Sequence, residues 1–111
     1  MSELDAEDYK LLVLARGALA RTGGASGAAV RDTDGRTYVA GEVALTALPL
    51  TALQAAVAAA ISSGAEGFEA AVVVAGAPDD AGIEAVREVS PSAAVIRTDR
   101  TGAVLNEVHG G

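Results

Sequence analysis

The chain has no cysteine, no tryptophan and one histidine, and its only aromatic residues are Tyr9, Tyr38 and Phe68. Without cysteine there is no disulfide, no thiolate metal site and no cysteine nucleophile. The single histidine, His109, sits among terminal glycines and cannot form a site by itself. Few aromatics leave a core of Ala, Val and Leu, which brings neighbouring elements close with little bulk between them. Long apolar runs are lacking too. The longest, Ala55 to Ile61, is far too short to span a bilayer, so no membrane association is expected. Basic runs are also missing: eight Lys and Arg are scattered against fifteen Asp and Glu, for a net charge of −7. Nucleic-acid binding depends on Lys and Arg neutralising phosphates, so no nucleic-acid partner is expected. The first ten residues are acidic and lack the basic start and apolar stretch of a secretory signal, which predicts a cytoplasmic protein.

What is present centres on residues 48–76. From Pro49 to Ser63 the only polar side chains are Thr51, Gln54, Ser62 and Ser63. A helix apolar on nearly every face is covered on several sides. Phe68 to Ala75 follows as a short apolar run that suits a central strand buried on both faces. Upstream, residues 2–21 read as a first helix, with Ser2 as its cap and Asp5 three residues later. Leu4, Leu11, Leu12, Leu14, Ala15, Ala18 and Leu19 form its apolar face, and Gly23-Gly24 ends it. Two short strands, residues 27–33 and 36–40, flank Asp34-Gly35, a strong hairpin signal. Residues 41–48 read as an irregular lead-in, with Pro49 in the first turn of the central helix.

Downstream, Pro78-Asp79-Asp80 opens a third helix running to about Val89. Ile83, Ala85, Val86 and Val89 form its buried side, while Glu84, Arg87 and Glu88 face water. Strands follow over residues 93–98 and 103–108. Their connection is too short for a crossover, so the second returns antiparallel. The order α-β-β-α-β-α-β-β is that of a single α/β domain over residues 1–111 with a mixed sheet, fraying at 108–111.

With these elements in place, the chain resembles the short cytidine deaminases from about residue 10 to 108. Gly27-Ala28-Ala29-Val30, Asp34-Gly35-Arg36 and Tyr38 match that family's first hairpin. Thr51 to Gly76 follow its helix-turn-strand segment without a gap, and Pro78 stands at the proline of its Pro-Cys-x-x-Cys motif. Val95-Ile96 and the Thr98 to Gly102 turn fit its last hairpin. The resemblance implies a three-layer α-β-α sandwich with a five-stranded mixed sheet.

It also implies a catalytic site whose residues are not there. Members of that family hold zinc through a Cys or His on the central helix and two Cys at the start of the next. A Glu two residues after the first ligand moves the proton for the zinc-bound water. Those positions are Thr51, Asp79 and Gly82 for the ligands and Leu53 for the Glu. A catalytic zinc site needs about three protein ligands, so no cofactor is expected. The family reads the ribose with an Asn and a Glu before the central helix. Glu42 meets the Glu position if one residue is deleted, leaving Ala40 at the Asn position. Counting forward from Asp34-Gly35 instead puts Glu42 on the Asn position and Ala44 on the Glu.

Each of these residues has a plainer reading. Glu42 suits a solvated loop carboxylate or a local cap. Asp79-Asp80 is what helix capping and the helix dipole select on their own. Thr51 reads as a buried hydroxyl bonded to the preceding turn, since its sequence neighbours Leu50, Ala52 and Leu53 offer no base to activate it. Leu53 turns a polar pocket into core.

Three functional readings stand. The first is a non-catalytic deaminase-like scaffold or regulatory partner, assembled as a homodimer or homotetramer as the resemblance implies. The second is a nucleoside-binding or nucleotide-binding module with a reduced pocket around Glu42. The third is a hydrolase of this family using an unrecognised site.

Overall fold

The computed structural model describes residues 4–109. Helix α1 spans Ala6–Thr22 and leads into β1 (Gly27–Asp32) and β2 (Thr37–Gly41). Two short strands, β3 (Val43–Ala44) and β4 (Pro49–Leu50), precede α2 (Ala52–Ser62). Then come β5 (Phe68–Val74), α3 (Ala81–Val89), β6 (Ala94–Thr98) and β7 (Val104–His109). The main sheet has the order β2-β1-β5-β6-β7. Only the β5–β6 pair is parallel, and the other three are antiparallel. This is the five-stranded mixed sheet that the sequence implied.

Helices cover both faces. On one, Leu11, Leu12, Ala15 and Leu19 of α1 pack against Ala29, Ala70, Val72, Val74 and Ile96. On the other, Leu53, Ala56, Val57 and Ala60 of α2, with Val86 of α3, pack against Ala28, Val30, Ala71, Val73 and Val95. Strand β5 therefore feeds both cores, and from Ala70 to Val74 it is buried at every residue. Small side chains let the layers close tightly. A Cβ on Gly27 would run into the carbonyl oxygen of Ala15, so α1 lies almost on the backbone of β1.

Several boundaries differ from the sequence reading. The N-cap of α1 is Asp5, whose carboxylate accepts from the Asp8 amide at 2.9 Å. Ser2, the expected cap, lies outside the described residues. Leu14 is exposed rather than part of the packed face. Gly23 ends α1 as expected, in the left-handed region at φ 65°. The lead-in to α2 is a small hairpin rather than irregular chain, and Pro49 belongs to its second strand. Proline lacks an N–H and suits such a peripheral strand.

Helix α2 is apolar but not covered all round. Ala52, Leu53, Ala56, Val57 and Ala60 are buried, whereas Ala58, Ala59 and Ile61 are exposed in the single chain. Arg87, expected in water, is half-buried, with its Nε and Nη2 out of solvent. The ladder of β7 extends through His109, past the expected fray at 108, while Gly110 and Gly111 lie outside the described residues.

Candidate functional site

The N-termini of α2 and α3 meet at one place, and each begins with a polar cap. Thr51, with φ −67° and ψ 162°, stands just ahead of α2. Its Oγ1 accepts from the Gln54 amide at 3.1 Å, and Gln54 Oε1 accepts from the Thr51 amide at 2.9 Å. This is a full capping box. Asp80 caps α3, and its Oδ1 accepts from the Gly82 amide at 2.8 Å.

The two caps are joined. The Thr51 hydroxyl donates to the same Asp80 Oδ1 at 2.8 Å. Thr51 is thus not bonded to a preceding helical turn, as its sequence suggested. It lies before the helix, and a carboxylate reaches it from far along the chain. Nothing near Thr51 in sequence announces that partner.

Leu53 and Gly82 form the second contact between these helices. Leu53 is fully buried in the core beneath α2 and α3. A Cβ built on Gly82 would lie 2.6 Å from Leu53 Cβ and 2.9 Å from the Gln54 backbone nitrogen. Such separations are well inside van der Waals contact, so the helices meet as they do because position 82 has no side chain.

Of the paired acids, only one turns inward. Asp79 is exposed, whereas Asp80 is 6% exposed. The sequence presents the two as equivalent, and the phase of the helix start selects Asp80 as the cap. Its Oδ2 accepts no hydrogen bond among the described residues and lies beside Gly76. Asp80 and Gly76 line a cavity of about 240 Å³ together with Ser26, Glu42, Thr51 and Ala75. A second cavity of about 230 Å³ shares Glu42 and Thr51 and is otherwise lined by Val43, Ala44, Pro49, Leu50 and Gln54.

Glu42, between β2 and β3, therefore borders both cavities. Its Oε1 accepts from the Ala25 amide at 3.2 Å, which ties it to the loop entering β1. It is not a local cap, since its partner lies 17 residues away in sequence, and it lines both cavities. Ala75, at the end of β5, has φ 62°, a left-handed conformation that a side chain disfavours. It is held there by a hydrogen bond from its N–H to the Thr98 carbonyl at 2.9 Å, and Arg97 Nη2 donates to the next carbonyl, that of Gly76, at 3.2 Å. Backbone strain of this kind gathers at functional sites. No feature of the sequence marks Ala75 or Ser26 as part of a cavity.

Comparison with known proteins agrees with this arrangement. A model of the cytidine deaminase-like family matches residues 4–102. The chain belongs to the cytidine deaminase-like family. A search of curated proteins finds no match. Among solved structures, the crystal structure of cytidine deaminase from Burkholderia pseudomallei is similar, with a TM-score of 0.75 and 24% identity. That match covers 91% of this chain and 91% of the other, and at this identity it speaks to the fold.

Within the family's frame, the donors here do not fit a catalytic zinc ion. Gly82 has no side chain, Leu53 is apolar and Asp79 points to solvent. The Thr51 hydroxyl is already committed to the Gln54 amide and to Asp80. Among the described residues, no group of three or more His, Cys, Asp or Glu is placed to hold a metal ion. A catalytic zinc site takes about three protein ligands and leaves a position open. What joins the helices instead is Asp80 Oδ1, shared by Thr51 and Gly82.

Proposed function

We propose that this chain is a deaminase-fold protein without deaminase chemistry, serving as an oligomeric scaffold or regulatory partner. The observation that supports this reading is the state of the residues that the resemblance puts at the family's reactive positions. Thr51 is a helix cap, Leu53 is core, Gly82 is a close contact, and Asp79 is a surface acid. Leu53, where the resemblance puts the proton shuttle, has no titratable group, and among the described residues no group of three or more His, Cys, Asp or Glu is placed to hold a metal ion. Metal analysis of untagged protein, with cytidine deamination followed on the same sample, tests the reading. The expected result is neither zinc nor turnover. Zinc near one per chain with turnover overturns it.

The assembly expected is a homodimer or homotetramer. Between Glu42 and Glu66 the sequence has no charged residue, in a chain that otherwise has a net charge of −7. That span contributes exposed Leu45 and Leu48 at the β3–β4 hairpin, and Ala58, Ala59 and Ile61 on α2. An uncharged apolar surface on an acidic protein favours contact with another copy of itself, where charge repulsion is least. Light scattering at micromolar concentration should report a dimer or tetramer, and a stable monomer overturns the assembly.

A second reading, a nucleoside-binding module, is favoured by one observation: Glu42 borders both cavities. Calorimetric titration with cytidine, deoxycytidine, uridine and their phosphates tests it. Saturable heat that is lost in Glu42→Gln supports it, and no heat from any of them removes it.

A further inference from the structure

One wall of the cavity of about 240 Å³ is bound to a residue that does not line it. Ala75, Gly76 and Ala77, just past the end of β5, form that wall. The Ala75 N–H donates to the Thr98 carbonyl, and the Gly76 Cα backs onto Val73 so closely that a Cβ would run into it. The Gly76 carbonyl accepts from Arg97 Nη2 at 3.2 Å. Arg97 reaches it from β6, where it stands beside Val73 in the parallel register. Neither Arg97 nor any residue of β7 lines this cavity or the adjoining one.

The same guanidinium is held on its other side by β7, the outermost strand of the sheet. Arg97 Nη1 donates to Asn106 Oδ1 at 2.6 Å, and Asn106 is its direct cross-strand partner. The ladder slips just there. Arg97 pairs with Asn106 and Thr98 with Val104, so Leu105 is the extra residue of a bulge and is exposed. Bulges of this kind re-aim side chains at sheet edges and beside functional sites. The pose has a cost, because Arg97 Nε is shut away from solvent with no acceptor. A buried donor without a partner is destabilising. The guanidinium gives up that bond and spans the gap from Asn106 to Gly76.

We infer that Arg97 is a positioning residue, which carries the position of edge strand β7 to the Gly76 peptide and so sets one wall of the cavity from outside it. A contact that moves Asn106 along this edge is thereby transmitted to the cavity. The relay needs both bonds of the one guanidinium, and it holds whatever the cavity takes.

The test is nuclear magnetic resonance of the full chain without ligand, in variants of Asn106, which is exposed and remote from the cavity. Asn106→Leu removes the acceptor, and Asn106→Asp keeps one at the same place. The Ala77 amide reports, since it shares a peptide plane with the Gly76 carbonyl, and the Asp34 and Gly35 amides in the first hairpin serve as controls. Asn106→Leu should shift Ala77 well beyond the controls and merge the separate Arg97 Nη signals into one averaged signal. Asn106→Asp should leave Ala77 within the range of the controls and the Nη signals separate. Arg97→Met should shift Ala77 as well. Adding Asn106→Leu to it should shift Ala77 no further, because residues acting through one another are non-additive.

An unmoved Ala77 in Asn106→Leu, an equal shift in Asn106→Asp, or additive shifts in the double variant would each overturn the inference. Should Arg97→Met fail to fold, the two Asn106 variants decide alone. None of these readouts involves zinc or turnover, so the relay and the proposed function fail independently.

Discussion

Thr51 and Asp80, 29 residues apart in sequence, share a 2.8 Å hydrogen bond that ties the first residue before α2 to the cap of α3. The same carboxylate oxygen holds the Gly82 amide, so one atom joins the two helices at their N-termini. In a small domain, a junction of this kind fixes how the helices sit on the sheet.

Removing the Thr51 hydroxyl should loosen that junction. Thr51→Val loses the cap on Gln54 and takes a donor from a buried carboxylate, a combined cost of about 1–3 kcal/mol. Thr51→Ser keeps both bonds and should stay within about 0.5 kcal/mol of the native protein. Urea unfolding midpoints for the two variants check this, and equal midpoints would count against the bond's contribution.

The same substitution should have opposite signs in two helices. Gly82→Ala places a Cβ 2.6 Å from Leu53 Cβ and 2.9 Å from the Gln54 nitrogen. Overpacking there should cost about 1–3 kcal/mol net, outweighing the helix preference for alanine. At Gly17 in α1 a new Cβ meets only the tip of Arg21, at 3.3 Å. Gly17→Ala should therefore stabilise, by about 0.5–1 kcal/mol. Thermal melts of the two variants give the comparison.

Ala75 is the one non-glycine residue with positive φ among the described residues, at 62°. An L-residue in that region costs about 1–2 kcal/mol, partly offset by the greater unfolded-state freedom of glycine. Ala75→Gly should raise stability by about 0.5–1 kcal/mol. A denaturation midpoint at or below that of the native protein would show that the conformation carries no strain.

Asp32 sets an acid dependence. Burial alone would raise its carboxyl, but bonds from the Arg36 amide, the Tyr38 hydroxyl and the Asp34 amide outweigh it, and the group sits below its ordinary value. The folded chain therefore takes up this proton less readily than the unfolded chain. The resulting stabilisation is complete above the ordinary aspartate value of about 4 and is lost as pH falls through the lower folded value. Tyr38→Phe removes one of those donors. Its stability deficit should be largest near neutral pH and shrink below about pH 4. A deficit independent of pH would assign the effect of Tyr38 to packing alone.

Much of the architecture was legible because it rests on local signals. Asp34-Gly35 marks the first hairpin, Gly23 marks the end of α1, and the valine run of β5 marks a strand covered on both faces. The boundaries that shifted were those set by competition between neighbouring residues of similar type. Asp5 rather than Ser2 caps α1, and Asp80 rather than Asp79 turns inward. The β3–β4 hairpin has no turn signal comparable to Asp-Gly, so its pairing was invisible. The site was legible only as four positions, Thr51, Leu53, Asp79 and Gly82, that the resemblance singles out. Its actual contents depend on contacts across the fold: Thr51 with Asp80, Leu53 with Gly82, and the strained turn at Ala75. None of these has a local sequence mark.

The Leu53–Gly82 contact also bears on which substitutions the site tolerates. A cysteine at position 82 brings a Cβ into Leu53, so that change is obstructed while leucine remains. A glutamate at position 53 puts a carboxylate into a fully buried setting, at a cost of several kcal/mol without partners. On the proposed reading, each step towards the family's reactive set is penalised by this packing before the next can reward it. The packing acts as a ratchet, and the present occupants of the site protect one another from replacement.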